Sequence, residues 1–201
     1  ANPGSMTGLN TPGAEVWLSP NQNPKAKLDW RWELIRVDGH LVGVGDMVDR
    51  GDQVTEVLWL FYRLSIEAKA AGGHVHFVLG NHEAMMMGGD VRYTNQKYFH
   101  AAKMLGVTCE GLIGADTVIG RWLRSCNCIE RVGEYLFVHA GLSPSVVRDA
   151  LDYDGINAKV RSGLGVRPER LADVAAAQLS WGRAGPLWYR GYFQQHATDF
   201  G

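Results

Sequence analysis

Two short apolar segments flank an amphipathic helix, and each runs into a polar, glycine-bounded motif. This pattern constrains the fold more than any other feature of the chain. His40 to Gly45 (HLVGVG) leads into Asp46-Met47-Val48-Asp49-Arg50-Gly51. Gln53 to Ala71 carries Val54, Val57, Leu58, Phe61 and Leu64 at three- and four-residue spacing, which predicts a helix with one apolar stripe. Gly72-Gly73 ends it, as a left-handed cap would. Val75 to Leu79 is a second apolar strand, and it leads into Gly80-Asn81-His82-Glu83. A crossover of this kind joins parallel strands and is nearly always right-handed. Both motifs then leave the carboxyl ends of neighbouring strands, where open α/β sheets place ligands. Two loops far apart in sequence are therefore expected to meet at one crevice.

The remaining elements follow from local signals. Trp30 to Val37 reads as a strand, and Asp38-Gly39 as the hairpin turn after it. Tyr98–Leu105 and Thr117–Arg124 read as helices. Cys128–Val132 and Tyr135–Ala140 read as a hairpin about Gly133-Glu134. Its second strand runs into His139-Ala140-Gly141-Leu142-Ser143-Pro144. Pro168 followed by ERLADVAAAQL reads as one helix with proline in its first turn. Residues 1–27 are polar, contain Pro20 and Pro24, and read as a flexible leader or scar. Residues 28–201 read as one domain.

Composition removes several classes. The 201 residues suffice for one ordinary domain. A net charge of −1 gives no reason to expect a nucleic acid or an anionic membrane as partner. No apolar run approaches the ~20 residues that span a bilayer. Cys109, Cys126 and Cys128 have neither disulfide-framework nor zinc-knuckle spacing, and free buried thiols in a reducing compartment are the expectation. The location expected is cytoplasmic, with the periplasm open if a leader precedes Ala1.

The motifs carry a coherent chemistry. Hard divalent cations take carboxylate, amide oxygen and imidazole ligands on rigid supports. Asp46, Asn81 and His139 supply one of each, all at predicted strand ends. A carboxylate such as Asp46 can bridge two ions ~3.5–4 Å apart, the spacing of two-metal phosphatases. His82 is placed to give a proton to a leaving oxygen, with Asp49 fixing its tautomer and raising its pKa. Arg50 offers a forked donor set for phosphate oxygens.

GDMVDRG, GNHE and HAGLSP, in this order and spacing, resemble the phosphoprotein phosphatase branch of the calcineurin-like metallophosphoesterases. From about Gly39 to Tyr192, including GRWLRS and GPLWYRGYF, the chain is most similar to bacterial members related to the Shewanella-like phosphatases. The resemblance implies an α/β (α+β) fold, a β-sandwich flanked by helices. It also implies two divalent ions, manganese or an iron–zinc pair, activating a bridging hydroxide. Carried over by residue, Asp46 bridges the metals and Asn81 and His139 bind the second one. His82 is the general acid, Asp49 orients it, and Arg50 binds phosphate. Arg190, within WYRGY, is a further phosphate-binding candidate. The substrate implied is a phosphorylated protein or a small phosphoester. A dinucleotide polyphosphate hydrolase and a non-catalytic relative that binds phosphorylated partners are the alternatives.

The family's opening Gly-Asp-x-His-Gly and its late histidine are not found, so the domain is expected to be incomplete at both ends. This chain is then expected to hold fewer ions than the family does. Asp38-Gly39-His40 has the spacing of the missing pair. His40 begins the strand that ends at Asp46, however, which puts it ~20 Å away at ~3.3 Å per residue. His196 has no apolar strand leading into it. His74 and His76 alternate on one strand at a metal-pair spacing, with a structural role as the expectation. Met85–Met87 are expected as core, as are Trp181 and Trp188. Arg121 and Arg124 are expected in solvent. Glu83 either supports a metal ligand or starts a helix.

Overall fold

His40–Gly43 pairs in parallel with His74–Phe77, and Val54–Ala70 is the helix that joins them. The crossover read from the sequence is therefore the centre of the fold. The structure is a computed structural model that describes residues 15–20, 30–37, 39–148 and 152–193. Asp38 and His196 lie outside the described residues, as do residues 1–14 and 21–27 of the expected leader.

The strands are β1 (Val16–Pro20), β2 (Trp30–Val37), β3 (His40–Gly43), β4 (His74–Phe77), β5 (Ile129–Val132) and β6 (Tyr135–Val138). The helices are α1 (Val54–Ala70), α2 (Asn81–Met87), α3 (Gln96–Leu105), α4 (Val118–Ser125), α5 (Pro144–Arg148), α6 (Tyr153–Gly163) and α7 (Val174–Trp181). β1 to β4 form one sheet in sequence order, antiparallel except for β3–β4, and β5–β6 form a two-stranded hairpin. A parallel bridge between Val78 and Asn127 links the two sheets.

Two apolar clusters hold these layers. Val42 and Val78 on the first sheet meet Val132 and Phe137 on the hairpin. The larger cluster lies on the helical side, where Leu58 and Phe61 of α1 pack with Phe77, Leu79, Leu123, Ile156 and Leu179. Met86 and Met87 join it, as expected, and the three free cysteines are buried. The Tyr98 hydroxyl accepts from the Val54 and Thr55 amides at 2.7 and 3.3 Å. Two unpaired donors of the first turn of α1 are satisfied in this way. No described helix is long and apolar enough to cross a membrane.

Several expectations differ in detail. Val16–Pro20 is a strand inside the stretch read as loop; it pairs with β2 through a register shift at Trp17/Leu18. The C-terminal helix does not start at Pro168. Pro168–Arg170 is a 3₁₀ turn, and α7 begins only after Asp173, whose carboxylate accepts from the Ala176 amide at 3.0 Å. An N-cap of this kind sets a helix start more firmly than an upstream proline. α6 also has an aspartate cap, Asp152, and buries Ile156 and Val160 at four-residue spacing. Arg124 is not free in solvent, because its guanidinium donates to Ile113 O and Gly120 O.

Candidate functional site

The loop after β3 and the start of α2 are held together by one buried side chain. Glu83 is fully buried. Its Oε2 accepts from Asp46 N (2.9 Å) and Gly80 N (2.7 Å), and its Oε1 from Met47 N (2.8 Å) and Val48 N (3.3 Å). Glu83 thus does more than start α2: from its first turn it also ties the first motif onto the second. The constraint is needed, because Asp46, Asp49 and Arg50 all have positive φ (57°, 69° and 58°). That region costs an L-residue about 1–2 kcal/mol. Gly45 is required beside them. Its φ is 82°, and a Cβ there would lie 2.5 Å from Gly80 N and 2.9 Å from His139 Nδ1.

Asp46, Asn81 and His139 converge, as expected of strand-end residues. His139 Nε2 lies 3.0 Å from Asn81 Oδ1 and 3.4 Å from Asp46 Oδ2. His139 Nδ1 donates to the Val44 carbonyl at 2.8 Å, which leaves Nε2 without a proton in the neutral ring. In the neutral ring a bare nitrogen then faces two oxygen acceptors, and either a second ring proton or a metal cation satisfies all three. Burial pushes the Asp46 carboxyl up, but the His139 and His82 imidazoles outweigh it and hold it below its ordinary value. Burial pulls the His139 imidazole down, and the Asp46 carboxylate more than reverses this.

His82 sits on the other side of Asp46. Its Nδ1 is 2.8 Å from Asp49 Oδ2 and its Nε2 is 3.9 Å from Asp46 Oδ2. Its backbone amide donates to Asp46 Oδ1 at 3.1 Å. The second Asp49 oxygen accepts from Thr94 Oγ1 at 2.6 Å, so both oxygens of this buried carboxylate are used. Burial lowers the His82 pKa, while the Asp49 hydrogen bond and then the Asp46 charge raise it above the ordinary value. Arg50 is exposed, with its guanidinium carbon 5.4 Å from the Tyr93 ring centre, and its amide donates to Tyr93 O at 2.8 Å.

Arg190 is placed differently. It is exposed, and its guanidinium donates to its own neighbour's carbonyl, Tyr189 O. The Tyr-Arg-Gly-Tyr segment instead buttresses the third motif, where the Tyr192 hydroxyl bonds Leu142 N and Leu142 O. His40 does not approach Asp46; it hydrogen-bonds His76 at the far end of β3. The sequence reading missed Thr94 altogether, and nothing in its local pattern marks it. The Glu83 role had a signal: a glutamate three residues into a helix is a capping-box residue, and here it reaches back to Gly80 N.

Among the described residues, no three His, Cys, Asp or Glu side chains are placed to hold a metal ion together. The set here is two such groups plus the Asn81 amide oxygen. Its donor separations fit the edges of one coordination sphere with bonds of about 2.0–2.2 Å. The residues present fit one divalent ion. Ligands for a second, such as the expected Asp-x-His pair, are not found among the described residues. A cleft of about 790 Å³ is lined by Asp90, Arg92, Arg167 and Trp181, among others, past the C-terminal end of α2, and none of the site residues lines it.

A family model for calcineurin-like phosphoesterases matches residues 24–176, and the chain belongs to that family. A crystal structure of the cold-active protein-tyrosine phosphatase of a psychrophilic Shewanella species is 41% identical, with a TM-score of 0.75 over 81% of this chain and 50% of that one. A second structure, of a cold-active protein tyrosine phosphatase at 1.1 Å, is 43% identical, with a TM-score of 0.72 over 77% of this chain and 46% of that one. An uncharacterized protein of Schizosaccharomyces pombe is 32% identical over 165 residues, 77% of this chain and 47% of its own. The chain thus spans about half the length of these relatives.

The N-terminal segment has a different likeness. A family model for the SfsA N-terminal OB domain matches residues 1–44. A sugar fermentation stimulation protein homolog of Paramagnetospirillum magneticum is 66% identical over 44 residues, 22% of this chain and 19% of that protein. This similarity stops one residue before Gly45, where the first phosphoesterase motif begins.

Proposed function

We propose that this chain acts as a metal-dependent phosphomonoester hydrolase on phosphorylated protein, with His82 as general acid. The observation that carries the reading is His139 Nε2, which the Nδ1 bond to Val44 O turns to face the oxygens of Asn81 and Asp46. These three residues would hold a divalent ion, manganese or the iron–zinc type among the candidates. Such an ion supplies Lewis-acid polarisation of a phosphoryl oxygen and acidifies water.

The protein's own part in the reaction follows from geometry. Arg50, exposed at the loop rim, would receive phosphate oxygens through its fork. His82, its Nδ1 proton donated to Asp49, presents Nε2 to the site and would protonate the departing alcohol or phenol oxygen there. The Asp49 and Asp46 carboxylates raise the His82 pKa, which favours the protonated ring that this role needs. Arg190 would add a second phosphate contact only on leaving its Tyr189 carbonyl. The likeness to structures of protein tyrosine phosphatases favours protein over dinucleotide polyphosphate.

A second reading, a phosphate-binding relative without turnover, is favoured by the single-ion donor set. Turnover of p-nitrophenyl phosphate with added Mn²⁺ decides between them. The hydrolase reading expects activity that falls about 10²–10⁴-fold in His82→Ala. Phosphate binding without turnover in the unaltered chain would overturn it.

A further inference from the structure

The three histidines left outside the site gather at the opposite end of the parallel strand pair. His40 begins β3 and pairs in register with His74 of β4, and His76 lies two residues further along β4. Residues two apart on a strand, and residues opposite each other across a pair, share one face. The ring centres accordingly lie 5.2 Å (His40–His76), 5.9 Å (His40–His74) and 4.6 Å (His74–His76) apart. Glu130 of β5 covers this face from the other sheet, with its Oε2 3.4 Å from His76 Nδ1.

The hydrogen bonds fix how His76 presents itself. The Glu130 carboxylate can only accept, so it is met by a proton on His76 Nδ1, and Nε2 is the nitrogen turned toward His40. That Nε2 lies 2.9 Å from His40 Nδ1. Glu130 is itself anchored: its Oε1 accepts from Asn127 Nδ2 at 3.0 Å, and Arg161 donates to Asn127 Oδ1. A carboxylate holding the outer nitrogen of an imidazole is the support that metal-binding histidines normally have.

We propose that His40 and His76, with His74 beside them, form a second cation site, for a transition ion that prefers imidazole: Zn²⁺, Ni²⁺ or Cu²⁺. Two nitrogens 2.9 Å apart match adjacent corners of a coordination sphere with bonds of about 2.0–2.1 Å. The donors that meet here are imidazole nitrogens, with one carboxylate held on His76, which favours these ions over Mg²⁺, Ca²⁺ and Mn²⁺. As placed, only two donors meet at one point, in keeping with the lack of any three-residue group of such ligands. Water or a turn of the His74 ring completes the sphere. An ion here would join β3 and β4 and, through Glu130, β5. It shares no residue with the Asp46, Asn81 and His139 set.

The test is Zn²⁺ binding to the full chain, counted by competition with a chromophoric chelator, in the unaltered protein, His40→Gln and Glu130→Gln. His40 is only half-buried at a strand start, so its substitution spares the core. The proposal expects one fewer Zn²⁺ bound by His40→Gln. It expects about 10–100-fold weaker binding at that site in Glu130→Gln. Cu²⁺ bound to the unaltered protein should show electron paramagnetic resonance splitting from two imidazole nitrogens, reduced to one or none in His40→Gln. Equal Zn²⁺ counts in the unaltered protein and His40→Gln, or an unchanged Cu²⁺ spectrum, would overturn it. Manganese-dependent turnover in His40→Gln is a separate readout and bears only on the phosphoesterase site.

Discussion

Glu83→Gln changes one buried atom, and its effect can be worked out from the four amides that Glu83 accepts. A glutamine keeps one acceptor oxygen and replaces the other with a donor. Either orientation leaves two backbone N–H groups facing an NH₂: Met47 and Val48, or Asp46 and Gly80. Each buried donor left unpaired costs about 1–3 kcal/mol, so the variant should lose about 2–6 kcal/mol. At roughly 2–4 °C per kcal/mol for a chain of this size, the melting temperature should drop by ~10 °C in calorimetry. The loop that frees itself holds three residues at positive φ, and relaxing them moves Asp46 away from His139. Divalent-ion affinity should therefore fall in the same variant, although Glu83 touches no ion in this account. A melting temperature within about 2 °C of the unaltered protein, with unchanged affinity, would refute the reasoning.

Other consequences are smaller or more local. Asp49→Asn removes the hydrogen bond and charge that raise the His82 pKa, so in metal-free protein the His82 titration followed by NMR should move to lower pH. Thr94→Val frees one Asp49 oxygen and should slow p-nitrophenyl phosphate turnover several-fold, with KM little changed. Asn157→Ala strips acceptors from the Cys128 and Ile129 amides and a donor from Ile129 O, and should cost about 3 kcal/mol in a denaturant titration.

What the sequence disclosed, and what it did not, divides by the range of the forces involved. The β3–α1–β4 unit was legible because a three- and four-residue apolar period and two glycine-bounded strand ends are local signals. So was the meeting of Asp46 with Asn81, since parallel pairing follows from the crossover. His139 joined them for the same reason, being a strand-end residue. Thr94 was not legible, because it reaches Asp49 across 45 positions through one hydroxyl. The break after Arg170 was hidden by a proline that suits a helix start, while the Asp173 cap that sets the real start lay inside the apparent run. β1 was hidden by Val-Trp-Leu-Ser-Pro, which neither alternates nor avoids proline. Its partner strand, not its own pattern, makes it a strand. The His40, His74 and His76 cluster was half legible: the alternation on β4 was visible, but His40 joined it only through the register of β3 against β4.

The central claim is that His139 Nε2, Asn81 Oδ1 and Asp46 Oδ2 are held ready for a cation. Mn²⁺ binding to the full chain, measured by electron paramagnetic resonance of the free ion, tests it most directly. One Mn²⁺ per chain, lost in His139→Ala and in Asn81→Ala but retained in His40→Gln, is the result predicted. Mn²⁺ binding that survives His139→Ala unchanged, or is absent from the unaltered protein, would contradict it.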